Sequence, residues 1–182
     1  VDVNVSATTE DEIGRLAASF RTMADATRDQ ASAIERIGAG DLSVDVKPRS
    51  EKDVAGKALA QATESLRGLV AEAGVLSKAA VEGKLATRGN AEKFQGGYRE
   101  IVQGVNGTLD AVIGPLNVAA EYVDRIAKGD IPAPITDSYN GDFNEIKNNL
   151  NQAIGAVHAL VVDANMLSQA AVEGKLATRA DA

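Results

Sequence analysis

The sequence predicts an all-α chain: long amphipathic helices that pack as coiled-coil bundles, stack end to end through continuous helices, and are joined by extended connectors. Three observations predict it. The stretch Leu76 to Arg88, LSKAAVEGKLATR, returns as LSQAAVEGKLATR from Leu167 to Arg179, and a helix-then-glycine unit repeated at a fixed period marks a stacked array. Apolar residues recur three and four apart over most of the chain, which is the a/d seam of a coiled coil. Only 3% of the 182 residues are aromatic and Trp is absent, so narrow aliphatic seams rather than large rings must supply the core.

Weaker copies of the repeat lie at GDLSVDV from Gly40 and GDIPAPI from Gly129, so Gly40, Gly83, Gly129 and Gly174 are spaced 43, 46 and 45 apart. The unit is about half the obvious repeat, and two unit types alternate. The formal charge of −7 carries no basic stripe of the kind that binds nucleic acid. Zero Cys excludes disulfides and thiolate metal sites and is compatible with a reducing cytosol. The longest apolar run, Ala153 to Val162, is too short to span a bilayer and carries His158. Both termini fall inside a repeat unit, which predicts a segment of a longer protein.

Taken in order, Val1 to Val5 alternates apolar and polar residues as an extended segment does. Val1 and Val5 align with Leu42 and Val46, 41 residues on. Asp11-Glu12-Ile13-Gly14 opens the first helix, with acidic residues where the macrodipole favours them. Its seam runs Ile13, Leu16, Phe20, Met23, Thr27, Gln30, Ile34, Ile37. Polar Thr27 and Gln30 mark a junction, and Gly38 and Gly40 stop the helix. Leu42 and Val46, four apart with Val44 between, belong to the first connector. A second helix from about Asp53 to about Glu82 carries Leu59, Ala62, Leu66, Leu69, Ala73, Leu76 and Ala80 on its seam. A helix so long with one narrow seam needs partner helices.

Gly83 ends that helix, and Lys84 to Gln95, including Leu85, form the second connector. The third seam is Val102, Val105, Leu109, Val112, Leu116, Ala119, Val123 and Ile126. Pro115 lies inside it, and proline suits the first turn of a helix better than its middle; Gly114-Pro115 therefore reads as a joint between two units, straight or slightly bent. After Gly129, Ile131 and Ile135 repeat the spacing of Leu42 and Val46, while Pro132 and Pro134 keep that connector extended. The fourth seam runs from Phe143 through Ile146, Leu150, Ala153, Val157, Leu160, Ala164 and Leu167 to Ala171. Gly174 closes it, and Leu176 begins a further connector.

Sites of chemistry are sparse. His158, the single histidine, aligns with Arg67 in the 91-residue repeat and has no partner ligands nearby, so it reads as a solvent-facing residue. Gly96-Gly97 lacks the remainder of a phosphate loop. Asn140-Gly141-Asp142 is a turn rather than a calcium loop. A thin Ala-rich bundle offers little room for a pocket, so no catalytic residue, metal or cofactor is expected and the chain is not read as an enzyme.

The pattern resembles the HAMP domain, in which two amphipathic helices per chain are joined by a connector with a glycine and two spaced hydrophobic anchors. Pro115-Leu116 followed by Gly129, Ile131 and Ile135 matches one set of family landmarks, and Asp11-Glu12-Ile13-Gly14 matches the other. The second connector departs, with Arg88-Gly89 where an apolar anchor is expected. The resemblance covers the whole chain: the second half of one unit over 1–23, complete units over 24–69, 70–113 and 114–156, and the first half of another over 157–182. It implies parallel dimeric four-helix bundles, with Gly40, Leu42, Val46, Gly83, Leu85, Pro115, Leu116, Gly129, Ile131, Ile135, Gly174, Leu176, Glu12 and Gly14 as connector and bundle anchors. Such arrays look like those of bacterial methyl-accepting chemotaxis proteins, with sensor histidine kinases the nearest alternative and a passive coiled-coil spacer the plain one. The partners implied are a second copy of the chain and the adjoining sensor and output domains, with the segment cytoplasmic and no nucleic acid or membrane insertion. Small Ala residues in the seams make two packings of similar energy feasible, as a conformational relay requires.

Overall fold

The computed structural model describes residues 11–180; the extended segment expected over Val1 to Val5 lies outside them. Among the described residues the chain is four α-helices and one 3₁₀ turn, without a strand: α1 (Glu12–Gly38), α2 (Val54–Val81), α3 (Gly96–Ala127) and α4 (Asp142–Val172), with the turn Ala91–Lys93 between α2 and α3. These helices of 27, 28, 32 and 31 residues are each about 40–50 Å long at 1.5 Å per residue.

Their starts follow from local chemistry. Asp11 caps α1, its Oδ1 accepting from Gly14 N–H at 3.0 Å, and Asp53 caps α2 in the same way through Gly56 N–H at 2.8 Å. The third residue of each of these two helices is glycine, and at Gly56 the capping carboxylate folds back so closely that a Cβ would lie 2.2 Å from the Asp53 carboxylate. The second copy of this Asp-x-x-Gly start lacks the Glu of the first, so it escapes a search for the acidic pair. α4 begins differently, from Gly141 at φ +53 with no side-chain cap.

Pro115 lies inside α3, and the helix continues through it. The chain forms two compact units, residues 1–106 and 107–182. In the first, α1 and α2 are held mainly by what lies between them. Ala17, Val44 of the first connector, Thr63, Phe94 and Val102 are buried. In the second, Ile113 of α3, Ile135 of the connector and Ile154 of α4 are buried. Each core is thin and runs through a connector rather than directly helix to helix.

Candidate functional site: the connectors and their fastenings

Each connector begins at the same device. At Gly40, Gly83, Gly129 and Gly174 the backbone turns left-handed, with φ +88, +71, +81 and +73. The glycine N–H bonds back to the carbonyl three residues earlier and the following N–H to the carbonyl five earlier. These pairs are Gly40 to Ile37 and Asp41 to Arg36, Gly83 to Ala80 and Lys84 to Ala79, Gly129 to Ile126 and Asp130 to Arg125, and Gly174 to Ala171 and Lys175 to Ala170. That is the Schellman closure, which satisfies the last helical carbonyls and needs the φ that glycine adopts without strain.

The closures alternate in charge. Arg36 donates to Asp41 at 2.6 and 2.9 Å, and Arg125 to Asp130 at 2.6 Å, so these two caps are crossed by an Arg–Asp pair. At Gly83 and Gly174 a Glu–Lys pair flanks the glycine instead, Glu82 with Lys84 and Glu173 with Lys175, each at 2.7 Å. Hydrogen bonding from the Ser43 hydroxyl first, and Arg36 second, holds the Asp41 carboxyl at about 2; Arg125 lowers Asp130, and Lys175 followed by Gln169 lowers Glu173. The alternation of unit types seen in the sequence is thus an alternation in cap electrostatics.

Beyond the caps, the connectors are fastened by side chains of the helices. In the first, Arg67 of α2 donates from Nε to the Leu42 carbonyl at 2.6 Å and from Nη2 to the Val44 carbonyl at 2.8 Å. Arg49 reaches α1, donating to the Thr22 carbonyl at 3.2 Å and to Asp29 at 2.8 Å. Val44 is buried, while Leu42 and Val46 on either side are half-buried. In the second connector Glu72 of α2, buried to 8% exposure, accepts from Lys93 Nζ at 2.5 Å and from Asn90 N–H at 3.1 Å. Those two bonds, Lys93 first, hold its carboxyl below the ordinary value. Asn90 in turn caps the 3₁₀ turn through Glu92 N–H at 3.0 Å, so this connector is not extended throughout. Phe94 closes it, its ring over Gly68, where a Cβ would meet Cε1 at 3.0 Å.

Gly89 stands where the second anchor of this connector was expected. Its backbone runs so close to α3 that a Cβ would lie 2.8 Å from Val102 Cγ1, and buried Val102 occupies the space an anchor would take. Its peptide is bonded twice by Asn106 of α3: Gly89 N–H to Oδ1 and Nδ2 to the Gly89 carbonyl, both at 2.8 Å. Asn151 of α4 does the same to Ile135 in the third connector, at 2.7 and 3.0 Å.

Of the remaining anchors read from the sequence, Ile135 is 6% exposed and Ile131 half-buried. Pro115 is half-buried, and with Val118, Ala119, Ile135, Phe143 and Ile146 it lines one apolar cleft. Leu116 and Leu85 are 43% and 44% exposed and Leu176 is 80% exposed. Gly14 is buried in the first turn of α1 and Glu12 exposed. Sequence reading missed Arg49, Arg67, Glu72, Asn106 and Asn151. A signal existed for the last two: they are 45 residues apart, within one residue of the 46 that separate Gly83 from Gly129.

Comparison with known proteins gives this architecture its family. Residues 93–159 and residues 1–29 each match a model described as the HAMP domain, together just over half the chain. A protein of Acetivibrio thermocellus named "Putative sensory transducer protein" is 40% identical over 65 residues, 36% of this chain and 12% of that protein. The chain therefore spans a small part of the length of that relative. No solved structure matches it significantly. With two family matches in one chain and four identical closures punctuating its helices, the protein belongs to the HAMP domain family and carries HAMP domains in tandem.

Proposed function

We propose that this chain is the signal-relay segment of a bacterial chemoreceptor, a cytoplasmic array that works as a parallel homodimer and passes helix rearrangements from a sensor domain to an output domain. The observation that supports it is where the apolar surface lies. Within one chain, the seam residues Leu16, Phe20, Val112, Leu116 and Val123 are 41–56% exposed, although a coiled-coil seam exists to be buried. A second copy of the same seam, running parallel, covers them and completes four-helix bundles. Neighbouring bundles share a helix, as α3 passing through Pro115 suggests, so a rotation or tilt in one must be met in the next. The array needs no chemistry of its own, and we read it as non-enzymatic. No helix among the described residues is long and apolar enough to cross a membrane.

The relative's name, a sensory transducer, supports transduction. A sensor histidine kinase would use the same segment with a different output. Light scattering at several concentrations tests the dimer: the reading expects twice 18.8 kDa, and a concentration-independent monomer defeats it. The chain has no Cys, so within this segment Leu116→Cys can cross-link only to the same position of a second copy, in a receptor whose other domains are freed of Cys. Their yield should change with stimulus in a relay and stay fixed in a passive spacer.

A further inference from the structure

We infer that Asn106 and Asn151 are one device used twice: a carboxamide clasp that fixes a connector to the helix following it, so that connector and helix move as one body. The inference rests on the relay reading and adds the residues through which the connector acts. A carboxamide is complementary to a peptide group, with one acceptor for its N–H and one donor for its carbonyl. Both clasps use both, at 2.7–3.0 Å. Each engages the residue six beyond the Schellman glycine, Gly89 after Gly83 and Ile135 after Gly129. Gly89 and Ile135 are both buried, where an unpaired peptide is costly.

Two further facts argue for positioning rather than incidental bonding. The equivalent residue of the first connector is Val46; sixteen residues on stands Ala62, whose methyl can neither donate nor accept, and seventeen on stands Thr63, whose hydroxyl donates to the Leu59 carbonyl of its own helix instead. There Arg67 of α2 takes over, holding two other carbonyls. Every described connector between two helices is therefore bound by a side chain of the outgoing helix. Fastenings to the incoming helix, by contrast, are particular to each: Arg49 reaches α1 and Glu72 holds the second connector from α2. The outgoing clasp is the common part, and a connector displaced by its incoming helix must draw the outgoing helix with it.

The test uses Asn151→Leu, which removes both bonds at similar volume, and Asn151→Asp, which keeps the acceptor. In the 182-residue chain, Ile135 N–H should exchange about fivefold faster in Asn151→Leu, as loss of a hydrogen bond worth roughly 1 kcal/mol implies. Asn151→Asp should fall between, while amides of α4 beyond Gly155 keep their protection. In the full receptor the stimulus-dependent change in Leu116→Cys cross-linking should fall several-fold in Asn151→Leu, with the unstimulated yield unchanged. Unaltered exchange at Ile135 overturns the clasp. Faster exchange with an undiminished stimulus response overturns its part in transmission. If the receptor with Asn151 intact shows no stimulus-dependent cross-linking, the relay reading itself fails, and the role of the clasp in transmission with it.

Discussion

Gly38 and Gly40 stand two residues apart at the end of α1 and have opposite consequences. Gly40 adopts φ +88, whereas Gly38 does not adopt a positive φ and has open space where a Cβ would stand. Gly40→Ala should lower stability by about 1–2 kcal/mol, the cost of a left-handed L-residue. Gly38→Ala should raise it by about 0.5–1 kcal/mol; thermal melts of the two variants check both signs. Glu72 makes a second residue-scale case. Its folded pKa lies below the ordinary 4.5, through Lys93 and then Asn90, so its contribution is complete above 4.5 and is lost as pH falls through the lowered value. Glu72→Gln should destabilise by about 1.5–3 kcal/mol at neutral pH, the range for hydrogen bonds to a charged group. That gap should close under acid, which urea titrations at neutral and acid pH would show.

At the scale of elements, Pro115 is the feature with most leverage. A proline in a helix interior removes one i to i−4 bond, yet this one also packs in the cleft with Phe143 and Ile146. Pro115→Ala should restore the bond and slow amide exchange through the surrounding turn of α3, while thinning the cleft; hydrogen exchange resolved by residue separates the two effects. The helices were legible in the sequence because seam period and stop glycines are local signals. α2 was expected from about Asp53 to Glu82 and spans Val54–Val81 between those two caps. The fastenings were not legible. Arg67 and Asn151 look like any polar residue on a helix, and only the fold brings them to a carbonyl 25 or 16 residues away. Gly89 was read as a missing anchor because its meaning lies in Val102, a neighbour that periodicity cannot supply.

For the molecule as a whole, the thin cores within each unit and the half-exposed seams are two aspects of one fact. A chain whose buried side chains are chiefly small or belong to connectors has little hydrophobic burial to hold it alone, and most of its remaining apolar surface lies on the helices. Stability should therefore depend on protein concentration, and the thermal midpoint should rise with it, as mass action requires of a dimer. A midpoint independent of concentration, together with a monomeric mass, would place the cohesion inside single chains.

The alternating charges at the closures also bear on heredity. Excising Lys84 to Gly174 rejoins Gly83 to Lys175 and recreates the same Glu-Gly-Lys cap, so an array can lose or gain 91 residues without a new junction. Excising Asp41 to Gly83 instead sets Lys84 where Arg36 had Asp41, leaving two cations across one cap. The shorter deletion should melt below the longer one, relative to equal-length controls. Copy number in such genes is then expected to change in twos, because a crossover between like caps leaves a chain that folds as its parent did.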